Sequence, residues 1–341
     1  MKVLIYSDVH WSEYSSILRS NHYPYTNRLC NLIKSVNWAE EQARNNKVDY
    51  VVNLGDFFDK PALSPLEITA LQEIKWYGEC EHYVLVGNHE MWTQDLKISS
   101  AHLFELFPKL NWTVVDELSI YQLPDDTFVG FLPYTLEQGR EEVEEKLSTL
   151  KTDPENLTLF SHNDLKGIQM GNIISKQGFS IETLESSCRV CFNGHLHNGM
   201  KVSNKIINVG NLTGQNFSED ATRYTHGVYL YDTKTGEYQF IENPYAYNFY
   251  KVEYPDMPIF KKQAVVSYKC PAKKEPEIRT LFEGDGRIDT FKIILARETV
   301  TLDEEVLPDL SVDHLEEFKN YILSTVGNDE VVQQELYEVC K

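Results

Sequence analysis

Five short stretches of this 341-residue chain carry side chains able to hold metal ions. They are Asp8-Val9-His10, Gly55-Asp56-Phe57-Phe58-Asp59, Gly87-Asn88-His89-Glu90, His162, and Gly194-His195-Leu196-His197. Their residue types suit one inorganic problem. Hydrolysing a phosphate ester near neutral pH needs a hydroxide and a counter-charge for the phosphoryl oxygens. Two divalent ions about 3.5–4 Å apart supply both. A carboxylate must bridge such a pair, and imidazoles and an amide oxygen complete each shell. Borderline metals such as manganese or iron accept that mixture. Glycines beside the donors allow tight turns. Each fragment alone is weak, because a lone histidine is more often a satisfied core residue than a ligand. Five of the ten histidines fall in these stretches, however, which chance does not explain.

Each stretch begins where an apolar run ends. Strands are expected over residues 3–6, 49–54, 82–86, 157–160 and 190–193, with a donor cluster just after each. Open α/β sheets build their sites in the crevice at the carboxyl ends of the strands. Between them, Leu29, Leu32, Ile33, Val36 and Ala39 recur at helical spacing and predict a helix over 28–45. Ser64-Pro65-Leu66-Glu67 is a capping box with proline at the first helical position, opening a helix expected to reach about Tyr77. Short helices are expected over 99–107 and 137–150. Strands are expected over 127–132 and 206–209, and a hairpin turning through 232–236 joins 227–231 to 238–242. The expected architecture is a layered α/β/β/α sandwich. After Pro244 an aromatic stretch leads into a smaller α+β region, so a catalytic domain is expected over 1–250. A capping region is expected over 251–300. A helical partner-docking tail over 301–341 would be capped by Ser311, with Leu315, Phe318 and Ile322 on its apolar face.

Composition sets limits. Hydrophobic residues make up 42%, enough for a sizeable core. No apolar run is long enough to span a membrane, and residues 1–6 lead straight into polar ones, so a cytoplasmic protein is expected. Six scattered cysteines do not make a disulfide scaffold. Cys188 and Cys191 form one C-x-x-C without a second pair, which favours reduced structural thiols over a zinc site. The net charge of −20 is unfriendly to a nucleic-acid substrate, although bound cations reverse the local field. The five lysines between Lys261 and Lys274 could touch a DNA backbone, or simply form a solvated face.

The ordered motif set resembles the calcineurin-like metallophosphoesterases over roughly residues 1–245. The resemblance implies that Asp8, His10, Asp56 and His197 hold one metal, and that Asp56, Asn88, His162 and His195 hold the second, with Asp56 bridging. It implies a hydroxide between the metals as the attacking group. His89 would be catalytic without being a ligand, stabilising the transition state or protonating the leaving oxygen. Asp59 and Glu90 look like residues that orient their neighbours, with loop caps as an equal alternative.

Within the superfamily, phosphatases follow the bridging motif with an arginine, where this chain has Lys60-Pro61. Residues 55–61 with Ser64-Pro65, and residues 208–219, look instead like the SbcD-type nuclease subunits of double-strand-break repair, in particular the small phage recombination type. That resemblance implies a manganese-dependent DNA exonuclease and endonuclease (magnesium or iron being alternatives), a homodimer, and an SbcC-like coiled-coil ATPase partner. Glu90, Trp11-Ser12-Glu13 and Asn211 depart from the nuclease pattern and leave the substrate less secure than the metals. The alternative is a phosphatase or cyclic-nucleotide phosphodiesterase. A non-catalytic scaffold would have lost several ligands, and here every expected one is present.

Overall fold

The first strand explains the layering. In β1 (Lys2–Tyr6), Val3 and Ile5 point to one side and Leu4 and Tyr6 to the other, and all four are buried. A strand apolar on both faces needs cover on both. One cover is helix α1 (Asn27–Asn46), capped by the Thr26 side chain, which packs Leu29, Leu32, Val36 and Ala39 against Leu4 and Tyr6. The other cover is a second sheet.

The computed structural model describes residues 1–296 apart from 16, 18–20, 23, 108–110 and 171–172. The tail expected over 301–341, with its Ser311 cap, lies outside the described residues. β2 (Tyr50–Asn53), β3 (Glu81–Leu85) and β4 (Trp112–Val115) run parallel to β1. The second sheet contains β5 (Ser119–Gln122), β6 (Phe128–Leu132), β7 (Leu157–Ser161), β8 (Val190–Asn193), β9 (Met200–Lys201) and β10 (Ile206–Asn208). β11 (Gly227–Asp232) and β12 (Tyr238–Glu242) form the expected hairpin. The sheet orders are β12-β11-β1-β2-β3-β4 and β9-β10-β8-β7-β6-β5.

Val3, Ile5, Val52 and Leu85 meet Phe131, Phe160 and Phe192 between the sheets. On the far face of the second sheet, Leu157, Leu159 and Cys191 pack against Leu147 of α3 (Glu137–Ser148) and Leu184 of α4 (Ile181–Ser187). This is the expected α/β/β/α sandwich. Cys188 and Cys191 both lie in that outer core, and burial pushes the Cys188 thiol up to about 12, as suits inert structural thiols.

One helix is shorter than its pattern. The capping box at Ser64 forms, but the α-helix (α2, Pro65–Ala70) gives way to a single 3₁₀ turn, Leu71–Glu73. Side chains of α1 take over the backbone beyond that point. Asn37 donates to the Glu73 carbonyl and accepts from the Lys75 N–H at 2.7 Å, and Glu40 accepts from the Tyr77 N–H at 2.8 Å. The expected helix at 99–107 is likewise a 3₁₀ segment, Ser100–Leu106.

A third sheet, β13 (Asn248–Glu253), β14 (Ala264–Cys270) and β15 (Ile288–Leu295), is wholly parallel. Helix α5 (Glu275–Gly284) bridges β14 to β15 and buries Ile278 and Phe282 against Tyr250, Val266 and Tyr268. Three of the lysines in this region are matched by acids. Lys261 pairs with Glu242, Lys269 with Glu253 and Lys274 with Glu277, which weakens the case for a DNA-binding stripe there. No helix among the described residues is long and apolar enough to cross a membrane.

Candidate metal centre

The parallel strands place the donor loops on one edge. Asp8, Asp56 and Asn88 follow the carboxyl ends of β1, β2 and β3, and His162 and His195 follow those of β7 and β8. The turns are tight enough to force uncommon backbone. Asp8, His10, Asp56 and His195 all sit at positive φ, +50°, +47°, +50° and +76°. Each such residue costs about 1–3 kcal/mol, and such strain concentrates at functional sites. Gly87 is required by proximity, since a Cβ there would lie 2.1 Å from Asp56 Oδ1.

Two groups of donors result. Asp8, His10 and His197 form one, and Asp56, His162 and His195 the other, with the ligand atoms in each within 4.8 Å of one another. Asp56 Oδ2 is 3.2 Å from His162 Nε2 and 3.9 Å from His10 Nε2, so it stands between the groups. Asn88 Oδ1 lies 2.9 Å from His195 Nδ1 and 3.4 Å from His162 Nε2. All seven candidate ligands thus converge. His89 stands at their rim, its side chain 41% exposed, while its backbone N–H donates to Asp56 Oδ1 at 2.9 Å.

A further set of carboxylates fixes the imidazoles. His10 Nδ1 lies 3.1 Å from Asp59 Oδ1, His195 Nε2 2.9 Å from Asp164 Oδ1, and His197 Nδ1 2.9 Å from Glu219 Oε1. A carboxylate accepts, so each of these nitrogens carries the proton, and the other nitrogen turns its lone pair inward. Sequence reasoning named Asp59 for such a role. Asp164 and Glu219 are not among the site residues the sequence picks out. The signal for Asp164 was its place two residues after His162. Glu90 works differently: its carboxylate accepts from the Asp56, Gly87 and Phe58 N–H groups at 3.2, 2.8 and 3.1 Å and so ties two donor loops together.

The electrostatics follow from burial and pairing. Burial disfavours charge on Asp56, but His162 and His10 outweigh it and hold the carboxyl well below the usual range. Burial likewise works against the His162 imidazolium, yet Asp56 raises it to about 9. The hydrogen bond from His195 and the nearby Arg140 keep Asp164 at about 2. Glu90 is pushed up to about 8 by burial and by Asp56.

Do these residues fit metal ions? His10 Nε2 and His197 Nε2, both lone-pair nitrogens by the argument above, are only 3.0 Å apart. His195 Nδ1 faces Asn88 Oδ1, acceptor to acceptor. Asp8 Oδ1 is buried with no hydrogen-bond partner among the described residues. Inward-facing acceptors without donors fit cations and little else. A third donor group, His10, Asp59 and His89, overlaps the first. It is held by hydrogen bonds instead, because its His10 and His89 Nδ1 atoms are already engaged by Asp59 Oδ1 and the Asp59 carbonyl, at 3.1 and 3.0 Å.

The family model for calcineurin-like phosphoesterases matches residues 1–199. The chain belongs to that family. It is accordingly a metallophosphoesterase, a hydrolase of phosphoesters in a dimetal-dependent family. No curated protein matches it. Among solved structures it is similar to a novel archaeal phosphodiesterase (16% identity, TM-score 0.37, covering 71% of this chain and 99% of that one). It is similar to TT1561 of Thermus thermophilus (11%, 0.42, 71% and 98%). It is also similar to a dimetal phosphatase from Danio rerio (12%, 0.40, with 71% of this chain covered and 98% of that one).

Glu219→Gln tests the outer carboxylates. The variant should bind manganese about 10–100-fold more weakly, because His197 loses the charge that holds its proton and raises its basicity. A manganese titration followed by calorimetry reads this, and an unchanged Kd would show that Glu219 only shapes its turn.

Proposed function

We propose that the chain is the nuclease subunit of an SbcD-like system, hydrolysing DNA phosphodiesters with manganese and working with an SbcC-like ATPase. In this reading Asp8, His10, Asp56 and His197 hold one ion, Asp56, Asn88, His162 and His195 the other, and His89 is catalytic. The ions supply a nucleophile at neutral pH and neutralise the phosphoryl oxygens.

The observation that carries the reading is the fate of Lys60. It follows the bridging motif where phosphatases of the superfamily grip phosphate. Here its Nζ is tied at 3.0 Å to Glu67, a carboxylate buried at 0% exposure, which offsets its charge. A monoester arrives with two charges and needs that cation, whereas a diester arrives with one. The motif stretches at 55–61 and 208–219 support the same branch. A homodimer and the cytoplasm are part of the proposal. The net charge of −20 favours the second reading, a phosphatase or cyclic-nucleotide phosphodiesterase.

Incubation with manganese and linear duplex DNA, with and without a co-encoded ATPase, decides between them. Degradation of the duplex is expected. Turnover of nitrophenyl phosphate or a cyclic nucleotide with no attack on DNA would replace the nuclease by the alternative.

A further inference from the structure

A cavity of about 170 Å³ opens on the His10 side of the donor cluster. His10 and Asp59 form part of its wall, so it is continuous with the metal centre. Ser12, Tyr14, Ser15, Arg28, Gln215 and Asn216 line the remainder. Tyr14 is 72% exposed, whereas Arg28 is only 4% exposed.

Arg28 has no role in the chemistry described so far. It stands in the first turn of α1, and its guanidinium donates to the carbonyls of Gly214 and Val9 at 3.2 and 3.4 Å. It forms no ion pair among the described residues, and Glu219 and Asp59 act on it only through space. Burial pulls its pKa down to about 10, so it remains charged at neutral pH. The first turn of α1 has no acidic residue to compete for it, and the helix adds its own positive end. Keeping an unpaired cation inside a protein is costly. Beside a catalytic centre that cost has a use, because a planar guanidinium can hold two oxygens of one phosphate.

We infer that this cavity binds the phosphate next to the scissile one, with Arg28 as its anchor, so that the preferred substrate is a diester carrying a second phosphate on the same nucleoside. This rests on the nuclease reading and deepens it. The scissile group belongs between the donor groups at Asp56, whereas this cavity reaches His10 and Asp59. The Tyr14 ring at its mouth offers a surface on which the intervening base can stack.

The test uses the full-length manganese enzyme and nitrophenyl diesters of thymidine. Thymidine 3′-(nitrophenyl phosphate) is compared with and without a 5′-phosphate, and the 5′-ester with and without a 3′-phosphate. One added phosphate should raise kcat/KM about tenfold or more, mostly through KM. That gain should vanish in Arg28→Gln and partly survive in Arg28→Lys. Melting temperatures report whether either variant has lost its fold, and the ratio between paired substrates is internal to each protein. No gain in the wild type overturns the inference, as does a gain that survives in Arg28→Gln. An equal loss on every substrate in that variant also overturns it, placing Arg28 on the scissile phosphate or in a structural role. If the wild type hydrolyses bis(nitrophenyl) phosphate but none of the thymidine esters, the nuclease reading itself fails and the inference falls with it.

Discussion

His89→Ala is expected to bind divalent metal as fully as the wild type and to lose about 10²–10⁴-fold in turnover. The geometry separates the two properties. His89 Nδ1 lies 3.0 Å from the Asp59 carbonyl, which can only accept, so that nitrogen carries its proton and is occupied. In the proposed role, the Nε2 atom would be the one to meet the substrate. The ring meets His10 edge-on with centroids 4.7 Å apart, next to a candidate ligand without taking its place. With its side chain 41% exposed, it is more open than the other candidate site residues, whose place is inside the cluster. A group so placed can stabilise the developing charge or protonate the leaving oxygen. A manganese count by atomic absorption beside kcat for a nitrophenyl diester checks the prediction. Parallel loss of metal and turnover would make His89 a ligand. His89→Gln separates charge from shape, since its amide can donate a hydrogen bond but cannot deliver a proton. It should recover part of the loss only if stabilisation, not proton transfer, dominates.

The convergence of the donors was legible because two constraints act together. Metal chemistry restricts the residue types to Asp, His and Asn, and a parallel sheet puts its strand ends on one edge. Once β1, β2, β3, β7 and β8 are read as buried strands, the loops after them have few places to go. The roles of Asp164 and Glu219 escaped for the opposite reason. A carboxylate serving a histidine 31 or 22 residues away looks like any loop acid until the loops meet. The early end of α2 is similar, because the groups that stop it, Asn37 and Glu40, belong to another helix. The strands Trp112–Val115 and Ser119–Gln122 carry no clear signal in the sequence. They are sheet edges only partly buried, without the unbroken apolar run that marked the central strands.

Asp56→Asn should have the largest effect of any single change, releasing both ions and lowering turnover by at least about 10³-fold. It should also change how stability depends on pH. In the metal-free protein His162 is raised above its ordinary 6.5 to about 9 by Asp56. A raised histidine contributes stability that is complete below its unfolded pKa and disappears as pH climbs through the folded one. Asp56 is lowered, so its own contribution is present above the ordinary carboxylate range and is lost in acid. Through His162 alone the metal-free protein should therefore lose about 3 kcal/mol between pH 6.5 and 9, and deprotonation of the buried Glu90, raised to about 8, adds to the loss. Metal binding runs the other way. An ion needs the His162 lone pair and must displace its proton, so affinity rises across the same interval and binding releases protons. The gap in melting temperature between manganese and chelator should widen steadily from pH 6 to 9. In Asp56→Asn the imidazolium loses its nearest counter-charge, and burial, opposed only by Asp8 and Glu90, then favours the neutral ring. The His162 share of the alkaline loss should disappear with it, leaving the smaller slope that the buried Glu90 still imposes. Scanning calorimetry of both proteins with chelator at pH 6, 7.5 and 9 measures the slopes. A wild-type protein that grows more stable toward pH 9 without metal would mean that Asp56 and His162 do not form the pair on which the second donor group depends.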